Sequence, residues 1–165
     1  MKAVIQRVSK ASVTVDGELV SRIGKGYLIL LGVMDDDTEY DAEVLAKKTS
    51  TLRVFEDDEG KMNLDIQNVD GEVLAVSQFT LCADVKKGNR PSFCHSAYPD
   101  RANELYEYFC SQLIANGVKN VEKGVALDTS PLLNVVENED VKMFYNDGAL
   151  FSLKGFNSSS KTVGD

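Results

Sequence analysis

Residues 27–34 read YLILLGVM, an apolar run with no polar alternation. A bilayer-spanning helix needs about 20 such residues, so the run is too short to cross a membrane. Gly24 and Gly26 break the chain just before it. A short apolar run bounded in this way reads as a central strand buried on both faces of a sheet.

The flanking segments supply neighbours for such a strand. Residues 2–8 (KAVIQRV) and 10–15 (KASVTV) alternate and read as two strands. Asp16-Gly17 is a hairpin dipeptide that tolerates positive φ, and residues 18–23 (ELVSRI) return from it. The opening is therefore expected to be a meander of about four strands. Thr38 caps a helix predicted over 39–51, with Glu39 and Asp41 in its first turn and Ala42, Leu45, Ala46, Thr49 and Leu52 at helical spacing. Residues 52–55 are a short strand, 56–61 an acidic turn, and 72–83 a long β-like segment. Pro99-Asp100 opens a second helix over 100–116, with Ala102, Leu105, Tyr106, Phe109, Leu113 and Ile114 on one face and Gly117 as its C-cap. Residues 118–125 read as a strand and 126–140 as irregular. Residues 141–145 and 150–153 read as short strands around Asn146-Asp147-Gly148.

The pattern predicts an α+β fold: a mostly antiparallel or mixed β-sheet, or a barrel-like body, with two main helices covering one face. Residues 1–154 are expected to form a single domain and 155–165 a flexible tail. A chain of 165 residues suits one core. Several sheet edges would be left open, and pairing them in a homodimer is one way to cover them.

Composition narrows the chemistry. The N-terminus, MKAVIQRVSK, has no long apolar stretch, so it does not read as a signal peptide and a cytoplasmic location is expected. Cys82, Cys94 and Cys110 do not form a disulfide framework, and Cys94 beside the single His95 is not a zinc signature. No metal or cofactor is expected. The formal charge of −8 argues against a general nucleic-acid surface. The charge is uneven, however: Lys86, Lys87 and Arg90 cluster in one loop (84–92) with Gly88 and Pro91. Taken alone, that loop reads more readily as a solvated turn than as a local phosphate site.

Ser77-Gln78-Phe79-Thr80 closes an otherwise apolar strand. Three hydrogen-bonding side chains at a strand end either meet solvent or line a pocket. In a pocket, nearby backbone N–H groups can form an oxyanion hole, and Thr80 can act as a nucleophile or orient a water. The sequence has no Walker loop, GxGxxG or HExxH, and no Ser-His-Asp set. A hydrolase built from these residues works by positioning and electrostatics rather than by a strong base.

These residues resemble the D-aminoacyl-tRNA deacylases. The likeness runs from Met1-Lys2-Ala3-Val4-Ile5-Gln6-Arg7-Val8 and Ala11-Ser12-Val13-Thr14-Val15 through Leu30-Leu31-Gly32-Val33 to Leu52-Arg53-Val54-Phe55-Glu56-Asp57 with Gly60-Lys61-Met62-Asn63. Ser77-Gln78-Phe79-Thr80-Leu81, followed by Lys86-Lys87-Gly88-Asn89-Arg90-Pro91-Ser92-Phe93, is its most specific part. The resemblance implies a homodimer with active sites at the subunit interface. It implies hydrolysis of the ester between a D-amino acid (or glycine) and the 3′-terminal adenosine of tRNA. Ser77, Gln78, Phe79 and Thr80 would form one pocket wall, with main-chain N–H groups near Phe79 and Thr80 facing the ester carbonyl. Either Thr80 is the nucleophile or the adenosine 2′-hydroxyl activates water, and the lack of a protein base fits the second better. Arg7 would brace the pocket, and Lys86, Lys87 and Arg90 would meet tRNA phosphates.

The family's second motif, Asn-x-Gly-Pro-Val-Thr, is altered. Its preferred placement is Asn146-Asp147-Gly148-Ala149, with the alternative near Asn138-Glu139-Asp140-Val141; neither keeps the proline. In the family this motif enters the partner's pocket and rejects L-amino acids, so Gly148 and Ala149 are expected to touch substrate. The alteration leaves an alternative reading: a catalytically impaired, dimeric nucleic-acid-binding family member.

Overall fold

The computed structural model describes residues 1–15, 18–86, 88–124, 132–144 and 150–153. Asp16-Gly17, Lys87, Asn146-Asp147-Gly148-Ala149 and the expected tail therefore lie outside the described residues.

The elements run β1 (Lys2–Val15), β2 (Glu18–Ile23), β3 (Gly26–Gly32), α1 (Glu39–Ser50), β4 (Phe55–Glu56), β5 (Met62–Leu64) and β6 (Glu72–Ser77). A single 3-10 turn (Phe79–Cys82), α2 (Pro99–Ala115), β7 (Val121–Lys123), β8 (Leu132–Phe144) and β9 (Leu150–Leu153) follow. A seven-stranded mixed sheet has the order β7-β6-β3-β1-β8-β9, with β2 also paired to β1. The β3–β6 and β6–β7 pairs are parallel and the others antiparallel. The fold is α+β, a nearly closed mixed sheet with two helices, as the sequence pattern predicts.

β3 is the expected central strand, flanked by β1 and β6 and buried along nearly its whole length. Its odd-numbered residues Tyr27, Ile29 and Leu31 join Val73 and Ala75 of β6 beneath the helices. There they meet Leu45 and Ala46 of α1 and Leu105, Phe109 and Leu113 of α2. Leu28 packs with Leu74, Val76, Val8 and Val13 on the opposite face. One continuous apolar strand thus feeds two cores, which is why it lacks alternation. A side chain at Gly26 would place its Cβ 1.8 Å from the Glu72 carbonyl oxygen, so the close approach of β3 to β6 requires glycine there.

Both helices form as the sequence predicts. The Thr38 backbone N–H and hydroxyl each donate to Asp41 Oδ2 at 2.8 Å, closing the N-terminus of α1. Pro99 sits in the first turn of α2, where its missing N–H costs nothing. Ile114 departs from the expected face and is exposed.

Four expectations are corrected. Residues 2–8 and 10–15 are one strand, so β1–β3 replace a four-stranded meander. The first half of β1 pairs with β3 and the second with β2, while β8 follows the other edge. The register against β8 shifts between Arg7 and Val8, between Val8 and Lys10, and between Lys10 and Ala11. Such bulges bend a strand, and here they curl the sheet instead of ending it. The strand expected at 52–55 is only Phe55–Glu56, paired to β5. The segment 72–83 stops being a strand at Ser77 and turns into the 3-10 helix. Most of the stretch read as irregular, 126–140, belongs to β8; pairing along β1 overrides its acidic, weakly patterned sequence.

Candidate active site

The site is built where β6 ends. Ser77 pairs with Leu31 of β3, and Gln78 N–H donates to the Leu31 carbonyl at 2.8 Å. The chain then winds into the 3-10 turn. Its first intra-turn donor is Leu81 N–H, to the Gln78 carbonyl at 3.3 Å, and Ala83 N–H follows to Thr80 at 3.2 Å. The N–H groups of Phe79 and Thr80 precede that ladder, where helical geometry supplies no internal acceptor.

The turn is pinned from beneath. Cys82 is buried, and its thiol donates to the Val33 carbonyl at 3.3 Å. Gly32, at the end of β3, lies directly below: a Cβ there would fall 2.9 Å from Leu81 Cβ and 3.0 Å from Cys82 Sγ. With Leu81 and Cys82 held down, Phe79 and Thr80 face outward and are exposed. The Gln78 side-chain amide donates to Thr80 Oγ1 at 2.5 Å. The structure therefore brings Ser77, Gln78, Phe79 and Thr80 together on one polar rim.

The basic loop is closed at its base. Asp84 and Ser92 exchange backbone hydrogen bonds of 2.7 and 2.9 Å, and the Asp84 carboxylate accepts from Lys86 N–H at 2.8 Å. Lys86 and Arg90 project into solvent from this loop. Immediately after the closure, the Phe93 ring packs on Phe79, with centroids 5.3 Å apart and planes tilted by 59°. Sequence reasoning did not assign Phe93 a role. Its contact with Phe79 depends on the loop closing, and no local periodicity announces that.

Arg7 lies elsewhere within the chain. It pairs with Tyr27, which pairs with Val73, four residues before Ser77 on β6. At about 3.3 Å per residue that is roughly 13 Å along the sheet. Arg7 is buried; Nη1 donates to the Val54 carbonyl at 2.7 Å, and Nη2 stands 3.7 Å from Glu56. Lys87, Gly148 and Ala149 are outside the described residues.

Thiol chemistry does not fit the buried cysteines. Burial raises the Cys82 thiol and pushes Cys110 up to about 12, so both stay protonated at neutral pH. His95 lies at the surface, its Nδ1 3.7 Å from Asp35. Among the described residues, the partner of the Thr80 hydroxyl is the Gln78 amide, not an imidazole or carboxylate. Among the described residues, no group of three His, Cys, Asp or Glu side chains is placed to hold a metal, and no helix is long and apolar enough to cross a membrane.

The chain is an α+β protein with a polar turn at the end of its central parallel strands, beside a basic loop. It belongs to the D-Tyr-tRNA(Tyr) deacylase family, whose model matches residues 4–128. A D-aminoacyl-tRNA deacylase of Koribacter versatilis (strain Ellin345) is 57% identical over 125 residues, covering 76% of this chain and 83% of the relative. One from Staphylococcus aureus (strain bovine RF122 / ET3-1) is 50% identical over 150 residues, covering 87% and 99%. Among solved structures, the c-Myc DNA Unwinding Element Binding Protein superposes with a TM-score of 0.77 at 35% identity, covering 94% of this chain and 99% of that one. A "probable eukaryotic D-amino acid tRNA deacylase" superposes with a TM-score of 0.68 at 16% identity, covering 92% and 98%, and shares the fold.

Proposed function

We propose that this chain hydrolyses the ester joining a D-amino acid, or glycine, to the 3′-terminal adenosine of tRNA. The observation that carries the reading is the turn after β6. It exposes Phe79 and Thr80 and leaves their N–H groups ahead of the intra-turn ladder. Two N–H donors at one point suit the oxyanion that forms when water adds to an ester carbonyl. The carbonyl then re-forms as the bond to the ribose oxygen breaks, releasing the free amino acid and the tRNA hydroxyl. Among the described residues no strong base stands at Thr80, and an ester flanked by a ribose 2′-hydroxyl carries its own group for steering water. On this reading Ser77 and Gln78 shape the wall, and Thr80 donates to the reacting oxygen or water. Lys86, Lys87 and Arg90 meet the phosphates.

Residues 1–154 act as one domain in the cytoplasm, and the working unit is a homodimer. A further feature supports the dimer: β2 shows solvent the apolar residues Leu19 and Val20. In the dimer, Gly148 and Ala149 of each subunit would approach the other's rim, and Arg7 would brace the site from β1. The alternative, a catalytically impaired nucleic-acid-binding protein, finds an echo in the name of one structural relative. The relatives of higher identity carry the deacylase name, and the hydrolytic reading stands ahead.

The test is deacylation of D-Tyr-tRNA and L-Tyr-tRNA side by side. D-ester turnover is expected. Cleavage of the L-ester as well would mean that selectivity is lost without the proline, and Ala149→Pro should then restore it. Turnover of neither ester would overturn the hydrolase reading.

A further inference from the structure

We propose that Phe93 is a nucleotide-stacking residue, forming with Phe79 an aromatic step that takes the base preceding the terminal adenosine. The inference rests on the deacylase reading of the rim. Phe93 follows directly on the Asp84–Ser92 closure, so the same two backbone bonds that shape the basic loop also aim this ring. Ser96 N–H donates to the Phe93 carbonyl at 3.0 Å, and Ala97 N–H donates to the Val33 carbonyl at 3.0 Å, fixing the return path to the end of β3. Phe93 is thereby held rather than loose, yet 38% of it stays exposed and 57% of Phe79 does too.

Two phenylalanines held open at a surface, rather than folded into the adjacent core, are a costly use of apolar area unless something covers them. The charge beside them selects the occupant. Lys86 and Arg90 sit on the loop that Phe93 closes, in a chain whose net charge is −8. A local cationic loop next to exposed aromatic faces is how unpaired nucleic acid is bound: the cations track the backbone and the rings stack the bases. The unpaired 3′ end of tRNA has that chemistry. With the ester at Phe79 and Thr80, the terminal adenosine occupies the rim itself. Phe93, its ring centroid 5.3 Å from that of Phe79, stands at the foot of the basic loop, so the base next to the adenosine is the one it takes.

The experiment compares wild type with Phe93→Leu, which keeps apolar bulk and removes the ring face. Two substrates are used, D-Tyr-tRNA and the D-tyrosyl ester of adenosine alone. The KM for the tRNA should rise about tenfold, in line with the loss of one stacked base, while kinetics on the nucleoside ester change less than twofold. Equal losses on both substrates would make Phe93 a support for Phe79 and overturn the proposal; so would no loss on either. Sedimentation of both proteins separates the remaining occupant: a Phe93→Leu variant that falls from dimer to monomer would assign the surface to a second copy of the chain. Binding of an uncharged single-stranded RNA ending in CCA needs no turnover. If wild type cleaves neither ester, the deacylase reading fails, and this arm decides stacking by itself. Roughly tenfold weaker RNA binding by Phe93→Leu upholds it and equal binding ends it.

Discussion

The Gln78 side-chain amide donates to the Thr80 hydroxyl, which fixes that hydroxyl as an acceptor toward the protein and leaves its proton to be donated outward. A nucleophilic hydroxyl needs the reverse arrangement, a base that takes its proton. Thr80 is therefore suited to polarise a carbonyl or orient water. Thr80→Ser, which keeps the hydroxyl, should stay within about tenfold of wild type in kcat, and Thr80→Ala should lose roughly a hundredfold. Single-turnover deacylation measures both. A D-tyrosyl-enzyme intermediate trapped on Thr80 would show that it attacks directly.

Gly32 lies beneath the rim, where an added Cβ would also stand 3.2 Å from the Gln78 carbonyl oxygen, and it sets the rim's height. Adding one methyl there would press on Leu81 and Cys82, which pin the 3-10 turn, at 2.9 and 3.0 Å. The turn must shift to relieve that contact, carrying Phe79 and Thr80 with it. Positioning catalysis is sensitive to displacements of about 1 Å. Gly32→Ala should lower kcat/KM on D-Tyr-tRNA by about tenfold or more while the protein still unfolds cooperatively. Activity equal to wild type would mean that the turn's position is not what makes the site.

Much of this arrangement is legible along the chain, and the rest depends on contacts between distant segments. The run at 27–34 announces a doubly buried strand because every residue in it is apolar. Thr38 with Asp41, and Pro99 with Gly117, mark helix ends by local chemistry that needs no tertiary partner. The exit from β6 is hidden. Phe79 and Leu81 continue an apparent strand alternation, and only the docking of Leu81 and Cys82 over Gly32 turns the chain. β1 looks like two strands because its pattern breaks near Ser9 and Lys10, where the register against β8 shifts. Phe93 ends the motif that follows the basic loop, but its contact with Phe79 has no local signal, since that partner lies beyond a loop closed by backbone bonds between Asp84 and Ser92.

Arg7 offers a test of architecture. Its guanidinium is buried and donates to the Val54 carbonyl, joining β1 to the segment that leads into β4. Arg7→Met keeps much of the apolar stem and strands that carbonyl without its donor. The cost should be about 2 kcal/mol, near the middle of the range for an unsatisfied buried group. For a chain of this size that lowers Tm by roughly 5 °C. Urea unfolding of the two proteins checks it, and an unchanged midpoint would mean that the Val54 bond contributes nothing net.

Glu72 ties three segments at the start of β6. Its Oε1 accepts from Asn120 Nδ2 at 2.9 Å and its Oε2 from Gly24 N–H at 2.6 Å. The Asn120 bond first, and the Gly24 bond second, hold the carboxyl below its usual range. A carboxylate whose folded pKa is depressed stabilises the fold above its unfolded value, 4.5 here, and the contribution is lost as pH falls through the lower folded value. Glu72→Gln keeps the shape but turns an N–H2 group toward one of the two donors. The site is largely solvated, so screening trims the effect to about 1 kcal/mol, or roughly 3 °C in Tm at pH 7. As pH falls from 4.5 through that lower folded value, wild type loses its advantage, and the two melting curves should converge. Asp41 and Asp57, also depressed by hydrogen bonds, titrate in both proteins and cancel in the difference. A Tm gap that stays constant from pH 7 down to pH 3 would locate the loss in packing rather than in the charge of Glu72.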